Sequence, residues 1–272
     1  LRCLVGSEMC IRDSPQADEL QIRNDAVKAC HERLTAAGID LDSFSTPHSA
    51  ADLALVREAL RIDEWHLFGV SYGTRLALDT IRHHPEGIAT VVLDAVYPPG
   101  DGAADRYRTV GDRVFDAFVA ACAATSCGAE SPTLDADLAA TIERYNAEPI
   151  VITGDVAGEE LTFHLTGDDV AVGLFNAMYD TSLIPALPAV IAQFAAGETA
   201  LAGQFLDSGL DFLLSAAEGM AIATDCADNA NAADATARDE AERDGGRLAT
   251  LYLVVPGAMC NAFPVTGVDP SF

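Results

Sequence analysis

Hydrophobic and polar positions follow two different periods in the first hundred residues. Helical spacing of apolar residues alternates with short apolar runs, which are typical of buried strands. The predicted segments in order are a helix over 17–36 stopped by Gly38, a helix capped by Thr46 and started by Pro47, a strand over 65–70, a helix over 72–84 and a strand over 89–96. This alternation is the βαβ pattern of a parallel sheet and predicts an α/β fold.

The pattern changes after residue 100, where helical segments dominate. They are predicted over 105–124, 134–147, 167–181, 187–196 and 199–219, with short strands over 150–153 and 161–165. A mainly helical block after a βαβ unit is typical of an insertion that caps a site. We therefore divide the chain into a partial core over 15–100, a helical cap over 101–245 and the start of a further core segment over 246–272.

Residues 1–14 differ from the rest of the chain. Residues 4–13 can be back-translated into a string that resembles the transposon-end adapter of sequencing libraries. We expect residues 1–14 to be non-native and exclude them from the prediction of the fold.

Charge and hydropathy exclude several classes of function. The net charge is −26, with 42 acidic against 16 basic residues, which argues against binding to nucleic acid or to an anionic membrane. No apolar run of membrane-spanning length occurs. No CxxC pair or histidine stands at ligand spacing, so we predict neither a metal nor a cofactor.

The cysteines outside residues 1–14 leave two alternatives open. Cys122 and Cys127 have a spacing that a local disulfide can close, and Cys226 and Cys260 could join the ends of a polar loop. Cys30 is then the odd cysteine, which suggests a lost partner. Buried free thiols are the other reading, because connectivity cannot be deduced from sequence.

The chemistry is carried by Gly69-Val70-Ser71-Tyr72-Gly73, between a predicted strand and a predicted helix. In a Gly-x-Ser-x-Gly turn of this kind the serine projects from the sheet in a strained conformation, and side chains at both glycine positions would collide with neighbours. We predict that Ser71 is a nucleophile and that the backbone N–H of Tyr72 is an oxyanion donor, a device worth about 3–4 kcal/mol.

A serine nucleophile needs a base, normally a histidine that follows it in the chain. Of the six histidines only His83, His84 and His164 follow Ser71; the first two end a helix, and we expect His164 to be a surface residue. We conclude that this chain lacks the catalytic histidine. Asp94, at the end of the next strand, could be the acid of a triad, but a turn-capping role is favoured.

Segments around this turn resemble the prolyl and tripeptidyl aminopeptidases, a family of α/β hydrolases. The resemblance is carried by residues 52–60, 65–78 with the stretch GVSYGTRLAL, 91–99, 165–169, 218–220 and 226–228. It implies a partial α/β-hydrolase fold with a helical cap, and hydrolysis that releases residues from the free N-terminus of a peptide through an acyl-enzyme on Ser71. Acidic residues near the cap would then pair with the substrate ammonium; Glu218 and Asp228 are the candidates.

The same resemblance carries two further expectations. Relatives are often exported, so a secreted or cell-envelope location is expected. Relatives also carry a glycine-rich oxyanion loop early in the chain and a late aspartate and histidine, and none of these is found here. We therefore expect an inactive interior fragment of an aminopeptidase, with an esterase or lipase of the same fold, or an inert fragment, as alternatives.

Overall fold

The structure is a computed structural model that describes residues 16–99, 103–156, 159–204, 217–229 and 257–268. The helices are α1 (Gln16–Ala36), α2 (Thr46–Ala59), α3 (Tyr72–His83), α4 (Ala103–Ala123), α5 (Ser126–Glu130), α6 (Leu134–Ala147), α7 (Gly167–Ala177), α8 (Leu187–Ala196), α9 (Glu218–Asn229) and α10 (Gly257–Ala262). The strands are β1 (Trp65–Val70), β2 (Ile88–Asp94), β3 (Ile150–Val156) and β4 (Glu159–Leu165). Single 3₁₀ turns occur at Leu41–Ser43 and Ile184–Ala186.

The predicted βαβ unit is confirmed. β1 and β2 form a parallel pair in which Phe68 lies opposite Val92 and Val70 lies opposite Asp94. α3 makes the crossover between them and packs against both strands, and α2 packs against α3. The carboxyl ends of both strands therefore meet at the edge where α3 begins.

The two strands are less buried than their apolar sequences predict. Phe68 and Val92 are 69% and 55% exposed, on the face of the sheet that α3 does not cover. Within the described part of the chain this sheet has two strands and helices against one face. Because a parallel sheet is normally covered on both faces, the continuous apolar pattern overestimates burial here.

The start of α2 differs from the prediction by one residue. Ser45 is the N-cap, and its Oγ accepts a hydrogen bond from the backbone N–H of His48 at 3.4 Å. Thr46 is instead the first helical residue, with Pro47 in the first turn as predicted. Serine is the better N-cap of the two, and the Thr46 side chain is in addition hydrogen-bonded to α9, as described below.

Helices α4 to α8 and the β3–β4 hairpin share one core, which confirms a mainly helical block after the βαβ unit. β3 and β4 are antiparallel. The largest fully buried side chains of this core are Phe115, Leu138, Leu174, Ile191 and Phe194. The helix predicted over 199–219 falls mostly outside the described residues, as do residues 246–256 of the further core segment predicted over 246–272.

A second core joins both ends of the described chain. Val27 and Leu34 of α1 pack with Ile222 of α9 and with Phe263, which follows α10. α1 ends as predicted, because Gly38 adopts a φ of 78° just after the last turn. This core places α9 beside the βαβ unit although more than a hundred residues separate them in sequence.

The cysteines form disulfides, which was one of the two alternatives left open by the sequence; the other was buried free thiols. Cys122 pairs with Cys127 between α4 and α5, and Cys226 pairs with Cys260 between α9 and α10. Cys30 is also disulfide-bonded, so the expectation of a lost partner is wrong. The Cys226–Cys260 bond closes the longer loop and is therefore expected to restrict the unfolded chain more.

Candidate active site

Ser71 is the single residue between the end of β1 and the start of α3. Its φ of 53° and ψ of −122° lie outside the regions that residues other than glycine usually occupy. A backbone conformation of this kind costs about 1–3 kcal/mol and persists only where surrounding contacts impose it. The side chain is exposed, and its hydroxyl makes no hydrogen bond to a described residue. The predicted strained turn is therefore present, with the serine at its apex.

Three hydrogen bonds hold the strained residue in place. The Ser71 N–H donates to the Asp94 carbonyl at 3.0 Å, which extends the pairing of β1 with β2 into the turn. The fully buried Thr74 hydroxyl donates to the Ser71 carbonyl at 2.7 Å and accepts from the Tyr97 N–H at 2.8 Å. Both carboxyl ends of the sheet are thereby joined to the first turn of α3.

The two glycines of the motif serve different purposes. A Cβ at Gly69 would lie 2.4 Å from the backbone oxygen of Gly73, so β1 and α3 can approach this closely only with glycine at that position. A Cβ at Gly73 would meet no described atom within 4 Å. The prediction that both positions exclude a side chain is therefore confirmed at Gly69 and wrong at Gly73 within the described structure.

The backbone N–H of Tyr72 directly follows Ser71 in the chain. Tyr72 is the first residue of α3, so its N–H has no partner within the helix and stands at the positive end of the helix dipole. This is the place expected for an oxyanion donor, and the role itself stays a prediction.

Asp228, one of the predicted amine ligands, lies in a buried network. Its Oδ1 accepts from the Thr46 N–H at 3.0 Å, and its Oδ2 accepts from the Thr46 hydroxyl and lies 3.5 Å from Nε of Arg75. Its side chain is 1% exposed. The Thr46 hydroxyl also contacts the Tyr72 hydroxyl at 2.7 Å. Asp228 therefore connects α9 with α2 and with the first turn of α3.

Glu218, the other predicted amine ligand, is also buried but lies at the far end of α9. Ten residues at about 1.5 Å each put the two positions about 15 Å apart along the helix axis. The structure does not bring Glu218 and Asp228 together, so a single ammonium cannot contact both. Amine binding by either residue stays a prediction.

All six histidines are among the described residues, and none is hydrogen-bonded to Ser71. Their contacts are His31 with the Pro264 carbonyl, His48 with Ser45, His66 with Thr90 and His83 with Asp79, while His84 ends α3 and His164 lies on β4. Asp94 lies opposite Val70 in the sheet, its carbonyl accepts from the Ser71 N–H, and the residue is exposed. Among the described residues, therefore, no imidazole is hydrogen-bonded to the Ser71 hydroxyl, and the roles of Ser71 and Tyr72 stay predictions.

The described residues contain no group of three or more histidine, cysteine or acidic side chains placed to hold a metal ion. They also contain no helix long and apolar enough to cross a membrane.

Comparison with known families agrees with this geometry. A family model described as alpha/beta hydrolase fold matches residues 23–144, from α1 through the βαβ unit and into α6. The match contains the strand, the strained serine turn and the following helix, together with the parallel partner strand. This chain has a partial α/β-hydrolase fold. The fold indicates a hydrolase in general.

Sequence reasoning misses two buried charged residues of this hydrolase fold. Arg75 is 4% exposed and binds Asp228, and Asp79 is 4% exposed one turn further along α3. Both lie on the face of α3 that is turned away from solvent. The sequence does show that Arg75 and Asp79, four residues apart, share one face of the predicted helix.

The glycine asymmetry gives a direct prediction. Gly69→Ala should lower the free energy of unfolding by about 3 kcal/mol, because the added methyl group meets backbone atoms that cannot move independently. Gly73→Ala is the matched control and should be neutral or stabilising by up to about 1 kcal/mol, because alanine favours a helix. Urea denaturation measures both, and equal stability of the two variants would contradict the close approach at Gly69.

Asp79 predicts a pH dependence of stability. Burial raises the pKa of this carboxyl, whose Oδ2 has no hydrogen-bond partner within the described structure, and the nearby His83 opposes the shift. The pKa of Asp79 is higher in the folded protein than in the unfolded chain. The free energy of unfolding therefore falls as the pH rises through the folded-state pKa, because the buried carboxyl must ionise. Asp79→Asn should therefore be more stable than the native protein at neutral pH, and this gain should disappear in acid.

The matched control is Asp180→Asn, because the Ser182 hydroxyl and N–H lower the pKa of Asp180. The native protein should have a higher free energy of unfolding than this variant at neutral pH, and the difference should be lost as the pH falls. Urea denaturation from neutral to acid pH measures both differences. A gain at Asp79→Asn that is independent of pH would show that burial does not raise its pKa.

Proposed function

We propose that Ser71 is the nucleophile of a serine hydrolase, and that the intact protein is an aminopeptidase acting on free N-termini of peptides. The observation that carries the proposal is the strained, exposed Ser71 between β1 and α3 of a hydrolase fold. A backbone conformation of this kind costs free energy. Presenting a reactive hydroxyl is the function that accounts for it.

The mechanism uses three groups in turn. The Ser71 Oγ attacks the substrate carbonyl carbon as a base takes its proton, and the carbonyl oxygen becomes an oxyanion. The Tyr72 N–H donates to that oxyanion at the positive end of α3. The base returns its proton to the leaving amine, and water then hydrolyses the acyl-enzyme by the reverse sequence. The base is proposed to be a histidine outside these 272 residues, since the six histidines present have other positions.

The choice of peptide bonds over esters rests on the resemblance of residues 65–78 and 91–99 to aminopeptidases. The helical block from α4 to α8 is proposed to be the cap that selects an unblocked amine. The disulfides Cys122–Cys127 and Cys226–Cys260 support a secreted or cell-envelope location, because disulfides persist in oxidising compartments. An esterase of the same fold is the alternative, since the serine turn serves both reactions.

The experiment compares hydrolysis of three substrates by the longest natural form of the protein. Tripeptide and prolyl p-nitroanilides with a free amine should be cleaved, and their N-acetylated versions should be poor substrates. Hydrolysis of p-nitrophenyl esters tests the alternative, an esterase. Ser71→Ala should lower kcat by about 10⁴-fold or more. Ser43→Ala is the matched control, because this exposed hydroxyl donates to Asp40 within the 3₁₀ turn before α2.

The 272-residue chain by itself should release no p-nitroanilide above the Ser71→Ala background, because it lacks the base. Turnover by the longer form that survives Ser71→Ala would exclude Ser71 as the nucleophile. If the protein hydrolyses esters and no peptide substrate, it is an esterase and the aminopeptidase proposal is wrong.

A further inference from the structure

Four residues from three helices form a buried connection next to the serine turn. Thr46 begins α2, Tyr72 and Arg75 lie in the first turn of α3, and Asp228 lies near the end of α9. Thr46, Arg75 and Asp228 are at most 8% exposed. Tyr72 is 38% exposed, so it joins the three buried residues to the surface beside the serine turn. Hydrogen bonds among the buried residues are strong and directional, and leaving any of them unmade is costly.

Counting protons fixes the direction of the hydrogen bonds. The Asp228 carboxylate, which faces Arg75, only accepts. The Thr46 hydroxyl has a single proton and donates it to Asp228, so it must accept from the Tyr72 hydroxyl. Tyr72 therefore donates to Thr46, and Thr46 donates to Asp228. We name these two consecutive hydrogen bonds the Tyr72–Asp228 relay. It holds the side chain of the residue whose N–H stands beside Ser71.

Arg75 connects the same carboxylate with the body of α3. Its Nη1 donates to the Asn229 side chain at 3.1 Å, and its Nη2 donates to the Asp228 carbonyl at 3.2 Å. Its guanidinium also lies over the Tyr97 ring, 5.3 Å from the centroid. Tyr72 and Arg75 are three residues apart and thus share one face of the helix. The end of α9 therefore restrains both the rotation and the position of the first turn of α3.

The same contacts argue against Asp228 as a ligand for the substrate amine. Both carboxylate oxygens already accept hydrogen bonds from Thr46, and one faces the Arg75 cation. A substrate ammonium would have to enter a site that is 1% exposed and approach a guanidinium of the same charge. Like charges at close range in a poorly solvated site repel strongly.

We propose that Asp228 is a positioning residue for the serine turn, acting on Tyr72 through Thr46 and on α3 through Arg75, and that it does not bind substrate. Its effect on catalysis rests on the proposed function, whereas its hold on Tyr72 does not. The relay orients the oxyanion donor of Tyr72 relative to Ser71. Errors of about 1 Å in such groups cost about 100-fold in rate.

The first measurement tests the relay without using activity. Asp228→Asn and Tyr72→Phe, separately and together, are compared by urea denaturation of the 272-residue chain. Although Tyr72 and Asp228 are joined only through Thr46, their losses in stability should be non-additive. In a Thr46→Val background, which keeps the shape and removes the hydroxyl, the losses should become additive. Additive losses in the native background would overturn the relay.

The second measurement tests positioning in the longest natural form of the protein. Asp228→Asn and Thr46→Val should each lower kcat by about 10- to 100-fold with KM little changed, and by the same factor for free-amine peptides and p-nitrophenyl esters. Thr46→Val leaves no buried charge unpaired, so it keeps the test available if Asp228→Asn does not fold. Asp180→Asn removes the same charge at an exposed position that contacts Ser182, and it should have a smaller effect.

The outcomes separate this proposal from the proposed function. A loss confined to free-amine peptides and expressed in KM would make Asp228 an amine ligand and overturn positioning. An unchanged kcat for both variants would also overturn it. Hydrolysis that survives Ser71→Ala would instead exclude the proposed nucleophile, and the additivity measurement would still decide whether Asp228 holds Tyr72.

Discussion

The close approach of the end of β1 to the first turn of α3 is the constraint on which the site depends. Only a residue without a side chain fits at Gly69, where the Gly73 carbonyl lies within the reach of a Cβ. The chain must then reverse within one residue, and Ser71 takes the positive φ that this requires. Pairing of β1 with β2 and the Thr74 bridge to Tyr97 supply the contacts that hold the strain.

A second constraint acts from a distant part of the chain. Asp228 and Arg75 are charged and almost fully buried, so each depends on the other for interactions that water would otherwise provide. Asp228 depends in addition on Thr46, and Arg75 on Asn229. Removing one partner would leave a buried charge, which makes this contact between α3 and α9 specific rather than adaptable. The second core and the Cys226–Cys260 disulfide hold α9 where this contact is possible.

The parts of the site that sequence predicts are those with local physical causes. The strained turn follows from glycine and serine between a strand and a helix, and α1 ends where Gly38 can adopt a positive φ. The partners of Asp228 were not predictable, because they come from segments about 150 and 180 residues away. The same long-range contact explains the cap of α2, since Thr46 is drawn to Asp228 and Ser45 takes the capping position.

The central claim is that this turn presents Ser71 as a nucleophile. The most direct measurement is peptide mapping by mass spectrometry after treating the longest natural form of the protein with a fluorophosphonate, which phosphonylates activated serines. The account predicts one adduct on Ser71, lost in the Ser71→Ala variant. An adduct at another residue that accompanies loss of hydrolysis, with Ser71 unmodified, would contradict it.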